Sequence, residues 1–182
     1  AGKGISFTSS GPGNERIYAA KGDATVYGGP GNDQIETEKG NKLRVYGDSG
    51  NDRIRTGRGN SVRVDGGSGH DRIALHSNPT RGVVYAGLGN DTVKGSKSHD
   101  RIYASPTRNP GGVADRDMIF GKGGNDRIFD YSGIGNRLYG LTGSDQIHSL
   151  GTAVSEIHGG NGTDFLFSNG GVTAGGVWEK VF

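Results

Sequence analysis

The sequence predicts an all-β chain wound as a parallel β-solenoid of about 19 residues per coil. Three observations carry that prediction. Glycine-rich blocks recur in phase along most of the chain. Turn residues fall at every half-period, which leaves no stretch long enough for a helix. Glycine supplies 37 of 182 residues while apolar types supply only 30%, too little for the thick core of an ordinary globular domain.

Taken in order, the chain opens with residues 1–9, which lack the repeat and are expected to cap the first coil. The repeating body is expected over residues 10–171. Its blocks are SGPGNERIY (10–18), GGPGNDQIE (28–36), GDSGNDRIR (47–55), GGSGHDRIA (66–74), AGLGNDTVK (86–94), GKGGNDRIF (121–129), GLTGSDQIH (140–148) and GGNGTDFLF (159–167). Their acidic residues are Glu15, Asp33, Asp52, Asp71, Asp91, Asp126, Asp145 and Asp164. Successive spacings are 18, 19, 19, 20, 35, 19 and 19. The long step is read as close to two periods.

Half-repeats such as KGNKLRVYG (39–47) and RGNSVRVDG (58–66) lie between these blocks. One coil is therefore two short strands and two turns. Alternation along a strand turns Ile54 inward and Arg53 and Arg55 outward. On the same rule Ile17, Ile35, Ile73, Val93, Ile128, Ile147 and Leu166 form one inward ladder. Val26, Val45, Val64, Val84, Leu138 and Ile157 form the facing one. The segment ASPTRNPGG (104–112) breaks the pattern and is expected to bulge as a loop. Residues 172–182 are expected to cap the last coil, with Trp178 and Phe182 over its open end. An uncovered end would permit end-to-end self-association.

A carboxylate at one corner of every coil makes a column of like charges about 5 Å apart, which is repulsive when bare. A hard cation between the rungs removes the repulsion. Calcium takes 6–8 oxygens from carboxylates and carbonyls, and glycines let a loop turn its carbonyls inward.

In these residues the chain resembles the repeats-in-toxin (haemolysin-type) calcium-binding family. GGPGNDQIE, GGSGHDRIA and GGNGTDFLF are similar to its nonapeptide, G-G-x-G-x-D-x-U-x, where U is large and apolar. The resemblance implies a right-handed parallel β-roll that leaves the cell unfolded and folds on meeting extracellular calcium. It implies several calcium ions as the cofactor. It implies carboxylate ligands at Asp33, Asp52, Asp71, Asp91, Asp126, Asp145 and Asp164. Carbonyl ligands are implied at Gly28, Gly31, Gly47, Gly50, Gly66, Gly69, Gly89, Gly121, Gly124, Gly140, Gly143, Gly159 and Gly162. The chain departs from the pattern at Glu15, which replaces aspartate. The intervening half-repeats mostly lack the acid, so calcium is expected mainly along one edge of the roll. Asp100 in GSKSHDRIY (95–103) and Asp117 in GVADRDMIF (112–120) are exceptions, expected to build one local site on the opposite edge.

No run of apolar residues is long enough to span a membrane. There is no cysteine, so disulfides do not compensate for the thin core. No HExxH or G-x-S-x-G motif occurs. The histidines show no zinc spacing, and His70 and His99 are read as solvated turn residues. Arg16, Arg53, Arg72 and Arg127 are read at one outward position on different coils. With calcium adding charge to a formal +2, they suggest a face for an acidic polysaccharide or other cell-surface polyanion. Nucleic acid is not expected. The function expected is an extracellular structural, adhesive or surface-assembly protein. The alternatives are a secreted carbohydrate-active enzyme or toxin module acting on an anionic glycan, and a non-catalytic polyanion-binding module.

Overall fold

The computed structural model of the chain describes residues 5–8, 12–76, 81–105, 115–131, 135–150, 155–168, 172–175 and 178–181. Among the described residues there is no helix, and short strands alternate between two sheets. A ten-stranded sheet takes Ile5–Thr8, Ala24–Pro30, Gly40–Ser49, Gly59–Asp65 and every second strand after them. A nine-stranded sheet takes Arg16–Ala19, Gln34–Thr37, Arg53–Arg55, Arg72–Ala74 and every second strand after those. Each strand pairs in parallel with the strand one coil away, as Val26 does with Val45 and Val45 with Val64. Parallel strands need a crossover connection. Here the crossover of each sheet is a strand of the other, and the product is the β-solenoid expected from the repeat.

Alternation places one or two aliphatic side chains per strand inside, as with Leu43 and Val45. Val26, Val45, Val64, Val84, Ile102, Ile128, Ile147 and Leu166 form the ladder of the ten-stranded sheet, and all are essentially inaccessible. Ile35, Ile54, Ile73, Val93, Ile119, Leu138 and Ile157 form the ladder of the nine-stranded sheet. Ile17 packs on the top of this ladder, partly buried. The sequence reading had put Ile128, Ile147 and Leu166 in the ladder of Ile35, and Leu138 and Ile157 with Val26. The structure exchanges these two groups. The exchange has one cause, a lengthened coil near residue 104, treated below.

Outward positions stack as well. Tyr85, Tyr103, Phe129, His148 and Phe167 lie ring over ring, with successive centroids 4.8, 4.9, 4.8 and 4.4 Å apart. Such in-register aromatic pairs add cross-strand stabilisation that a thin interior lacks.

The chain turns from the ten-stranded to the nine-stranded sheet at one corner, here the first corner, and returns at the second corner. At the ends, the backbone of Ile5–Thr8 pairs with Ala24–Tyr27, and that of Trp178–Val181 pairs with the strand at Asp164 after a register shift. Both segments expected as caps thus extend the sheets. The side chain of Trp178 and all of Phe182 lie outside the described residues, as does 106–114, the greater part of the expected loop.

Candidate metal centre

Each corner is built by the glycine pattern. Gly50 has φ +127°, and a Cβ there would lie 1.8 Å from the Gly31 carbonyl oxygen of the coil above. Only glycine lets adjacent corners stack this closely. Two residues on, Asp52 ends the turn and hands the chain to the strand Arg53–Arg55.

The aspartates interlock from coil to coil. At the first corner, the backbone N–H of Glu15 donates to Asp33 Oδ1, that of Asp33 to Asp52, that of Asp52 to Asp71, and that of Asp91 to Asp117, each at 2.8 Å. The Asp71 amide donates to Asp91 Oδ1 at 2.7 Å. The Asp117 amide donates to Asn136 Oδ1 at 2.7 Å, which closes the column. At the second corner the amides of Asp100, Asp126 and Asp145 donate to Oδ1 of Asp126, Asp145 and Asp164 at 2.8, 2.7 and 2.9 Å. Oδ1 is therefore a structural rung.

Oδ2 is different. In Asp33, Asp52, Asp71, Asp91, Asp117, Asp126, Asp145 and Asp164 it is buried without a hydrogen-bond partner, and so is Glu15 Oε2. A buried carboxylate oxygen with no partner is costly. It points at a specific place. A methyl group added to Gly47 would meet Asp52 Oδ2 at 2.4 Å and the Gly66 carbonyl oxygen at 2.3 Å. The equivalent points beside Gly28, Gly66, Gly121 and Gly140 also face one Asp Oδ2 and one carbonyl oxygen from the next coil, and that beside Gly159 faces Asp164 Oδ2. Orphaned carboxylate oxygens and converging carbonyls are the donor set of a hard divalent cation, and these residues fit calcium. Among the described residues no three acidic or histidine side chains gather as a ligand cluster. A cation here draws on single carboxylates and stacked carbonyls.

Without a cation, burial pushes the carboxyls far above the ordinary aspartate value. Asp71 and Asp145 rise to about 6, Asp52 to about 7, Asp91 and Asp126 to about 8, and Asp117 to about 9. Backbone amides on Oδ1 oppose the rise, and neighbouring carboxylates add to it for all of them.

The columns overturn one expectation. Carboxylates do not keep mainly to one edge. Glu15, Asp33, Asp52, Asp71, Asp91 and Asp117 line the first corner, while Asp100, Asp126, Asp145 and Asp164 line the second. Nor do Asp100 and Asp117 share a local site, since each belongs to a different column. The step from Asp91 to Asp126 is not two periods. It is half a coil to Asp100, then one coil lengthened to 26 residues. The nonapeptide jumps corners there. Before the jump, the register position of Asp100 is filled by Ala24, Leu43, Val62 and Gly82, so the second corner begins as apolar core.

The glycines follow the same division. Gly28, Gly31, Gly47, Gly50, Gly66, Gly69 and Gly89 belong to first-corner loops, and Gly121, Gly124, Gly140, Gly143, Gly159 and Gly162 to second-corner loops. Asp100 departs in detail, because its Oδ2 accepts the Ser96 N–H at 2.6 Å.

Sequence reasoning missed three residues. Asp115 and Asp130 are wholly buried near Asp117, and both Asp115 oxygens are without a hydrogen-bond partner. Asn136 takes the carboxylate's place below Asp117. The signal for Asp115 was available, since it stands two residues before Asp117, where the other aspartate loops except that of Asp100 carry glycine. His70 and His99 are exposed, as read, but they also bond. His70 Nδ1 accepts the Asn90 N–H at 2.9 Å and His99 Nδ1 that of Asn125 at 2.6 Å, in the place where Asn32 Oδ1 receives Asn51. The arginines divide too. Arg16, Arg53 and Arg72 share a file on the nine-stranded sheet, whereas Arg127 pairs with Arg101 on the other sheet.

A family model described as the RTX calcium-binding nonapeptide repeat (4 copies) matches residues 9–41, 44–62, 82–106, 111–133 and 155–172, more than half of the chain. No curated protein and no solved structure matches it.

Proposed function

The chain belongs to the RTX calcium-binding nonapeptide repeat family, and from that premise we propose that it is an extracellular structural module, adhesive or surface-assembling, that folds on calcium after export. One observation supports the reading above the others. Eight column aspartates, and Asp115 beside them, hold Oδ2 buried and unpartnered, so the folded chain without cations carries a large electrostatic penalty. The aliphatic core is only one or two side chains wide per strand and offsets it poorly.

The residues divide the work. Oδ1 of each aspartate fixes the spacing of adjacent coils, and Oδ2 with the glycine carbonyls supplies oxygen donors. Bound calcium supplies the positive charge that lets carboxylates stack. Extracellular modules bind calcium at about 10⁻⁴–10⁻³ M, far above the cytosolic level. Metal binding and folding then become one event, and the chain stays loose until it is outside.

Far-UV circular dichroism in chelator and in rising calcium tests this. The β signal is expected to be lost in chelator and to return with a midpoint of about 0.1–1 mM calcium. Equal magnesium is expected to restore little of it. A full β signal in chelator would refute the coupling.

A further inference from the structure

The outer face of the nine-stranded sheet carries a patch that the calcium corners do not use. Three adjacent strands, Arg53–Arg55, Arg72–Ala74 and Thr92–Lys94, stack in register. Their outward side chains make a grid two residues wide and three strands long. One file is Arg53, Arg72 and Thr92, and the other is Arg55, Ala74 and Lys94. Four of the six positions are exposed cations, and none is a carboxylate. The structure gives these four cations no ion-pair or hydrogen-bond partner among the described residues.

Ala74 is the short member of the grid. Over it lies a shallow depression of about 260 Å³, walled by Arg53, Arg55, Arg72 and Lys94. Strand spacing puts Arg55 and Lys94 about 10 Å apart across Ala74, with Arg53 and Arg72 about 5 Å apart beside it. Side chains of this length bring their charged ends over a single anionic group seated on the methyl. Guanidinium groups match carboxylate and sulfate geometry with paired N–H donors. Stacked like charges repel, and a surface serving only solubility intersperses the two signs. The next strand carries Gln34 and Glu36 in the same two files, so a carboxylate enters only at the edge of the grid, beside Arg55.

We propose that this notch binds the carboxylate or sulfate groups of an acidic polysaccharide. The choice of polysaccharide rests on the extracellular reading above. The grid itself disfavours nucleic acid. Its six positions hold no aromatic side chain, the stack of Phe120 and Tyr139 beginning one strand beyond Lys94, and its cations cover only about 10 Å, short of a groove that tracks a phosphate backbone.

The test uses the calcium-loaded chain and three probes too short to gel with calcium: hexagalacturonate, a heparin hexasaccharide and dodecathymidylate. Affinity is measured by titration calorimetry. Arg53→Glu/Arg72→Glu is expected to weaken binding of at least one hexasaccharide by ten-fold or more. Ala74→Leu keeps every charge and fills the notch, and the same ten-fold loss is expected. Arg44→Glu/Arg63→Glu makes the same charge change on the opposite sheet and is expected to bind within about two-fold of the wild type. Circular dichroism in calcium confirms that each variant folds, which separates this result from failure of the calcium-folding reading. Wild-type affinity in Ala74→Leu, equal losses in the two double variants, binding of neither hexasaccharide, or tighter binding of dodecathymidylate overturns the proposal.

Discussion

The backbone N–H of Asp52 donates to Asp71 Oδ1 at 2.8 Å, while Asp71 Oδ2 is buried with no partner. One carboxylate thus has two separable duties. Its first oxygen holds a neighbouring coil and its second is an oxygen donor for a cation.

Two substitutions divide those duties. Asp71→Asn keeps an oxygen acceptor for the Asp52 amide and replaces the second oxygen with a donor. It is expected to lower calcium stoichiometry by about one ion while leaving the metal-free chain no less stable. Asp71→Ala removes the rung as well and strands a buried amide, at an added cost of about 1–3 kcal/mol. Calcium counting by calorimetry and urea midpoints in saturating calcium distinguish the two. Asn136, whose Oδ1 receives the Asp117 amide at 2.7 Å, already makes the first exchange naturally.

Acidity acts in opposite directions on the two forms. In the unfolded chain these carboxyls ionise near 4. In the metal-free roll, burial holds protons on Asp52 to about 7, on Asp91 and Asp126 to about 8, and on Asp117 to about 9. The folded state therefore binds more protons, and its stability falls as pH rises from about 4 through 9. In chelator, the β signal is expected to be greater at pH 5 than at pH 9. Calcium needs the ionised form, so its midpoint is expected to rise as pH is lowered from 8 to 6. Circular dichroism titrations at the four pH values check both signs.

Leu141 occupies the left-handed region, with φ +80°, and its side chain is largely outside the core. Its register partner in the next coil is Gly160. Leu141→Gly relieves a conformation that costs an ordinary residue about 1–2 kcal/mol, less what glycine loses in the unfolded chain. A net gain of about 0.5–1 kcal/mol is expected in saturating calcium, read from the urea midpoint.

Ile54 is wholly buried and lies between Ile35 and Ile73. Ile54→Ala opens a cavity in a core only two facing ladders thick, with the coil spacing fixed by backbone hydrogen bonds. The loss expected is about 2–5 kcal/mol. Because folding and binding are coupled, the same change is expected to raise the calcium concentration at the folding midpoint. A calcium titration followed by circular dichroism measures the shift.

The coil repeat and the inward direction of most ladder residues were legible in the sequence, as was the sheet of those before residue 100, but the sheet of Ile128, Leu138, Ile147, Ile157 and Leu166 was not. The legible features follow from a two-residue alternation and a period near 19 that survive in almost every block. The corner occupied by each aspartate was not legible. A nonapeptide is half a coil, so the motif alone fits either corner, and only the parity of half-coils decides. Parity was lost between Asp91 and Asp126, where a half-coil step and an insertion within one turn together imitate two ordinary periods. The paired offsets from Asp91 to Asp117 and from Asp100 to Asp126, both 26 residues, held the answer. Asp115 and Asp130 escaped because neither stands at the motif's acidic position; Asp130 ends its strand at an inward register whose partner Ser149 is equally buried.

The two rows of carboxylates overlap only around residues 91–126 and otherwise serve different halves of the rod. Fraying that begins at the N-terminal tip strips one row, and fraying from the C-terminal tip strips the other. The midsection, which carries carboxylates at both corners, is expected to be the last part to release its ions and the first to set when calcium is added to the unfolded chain.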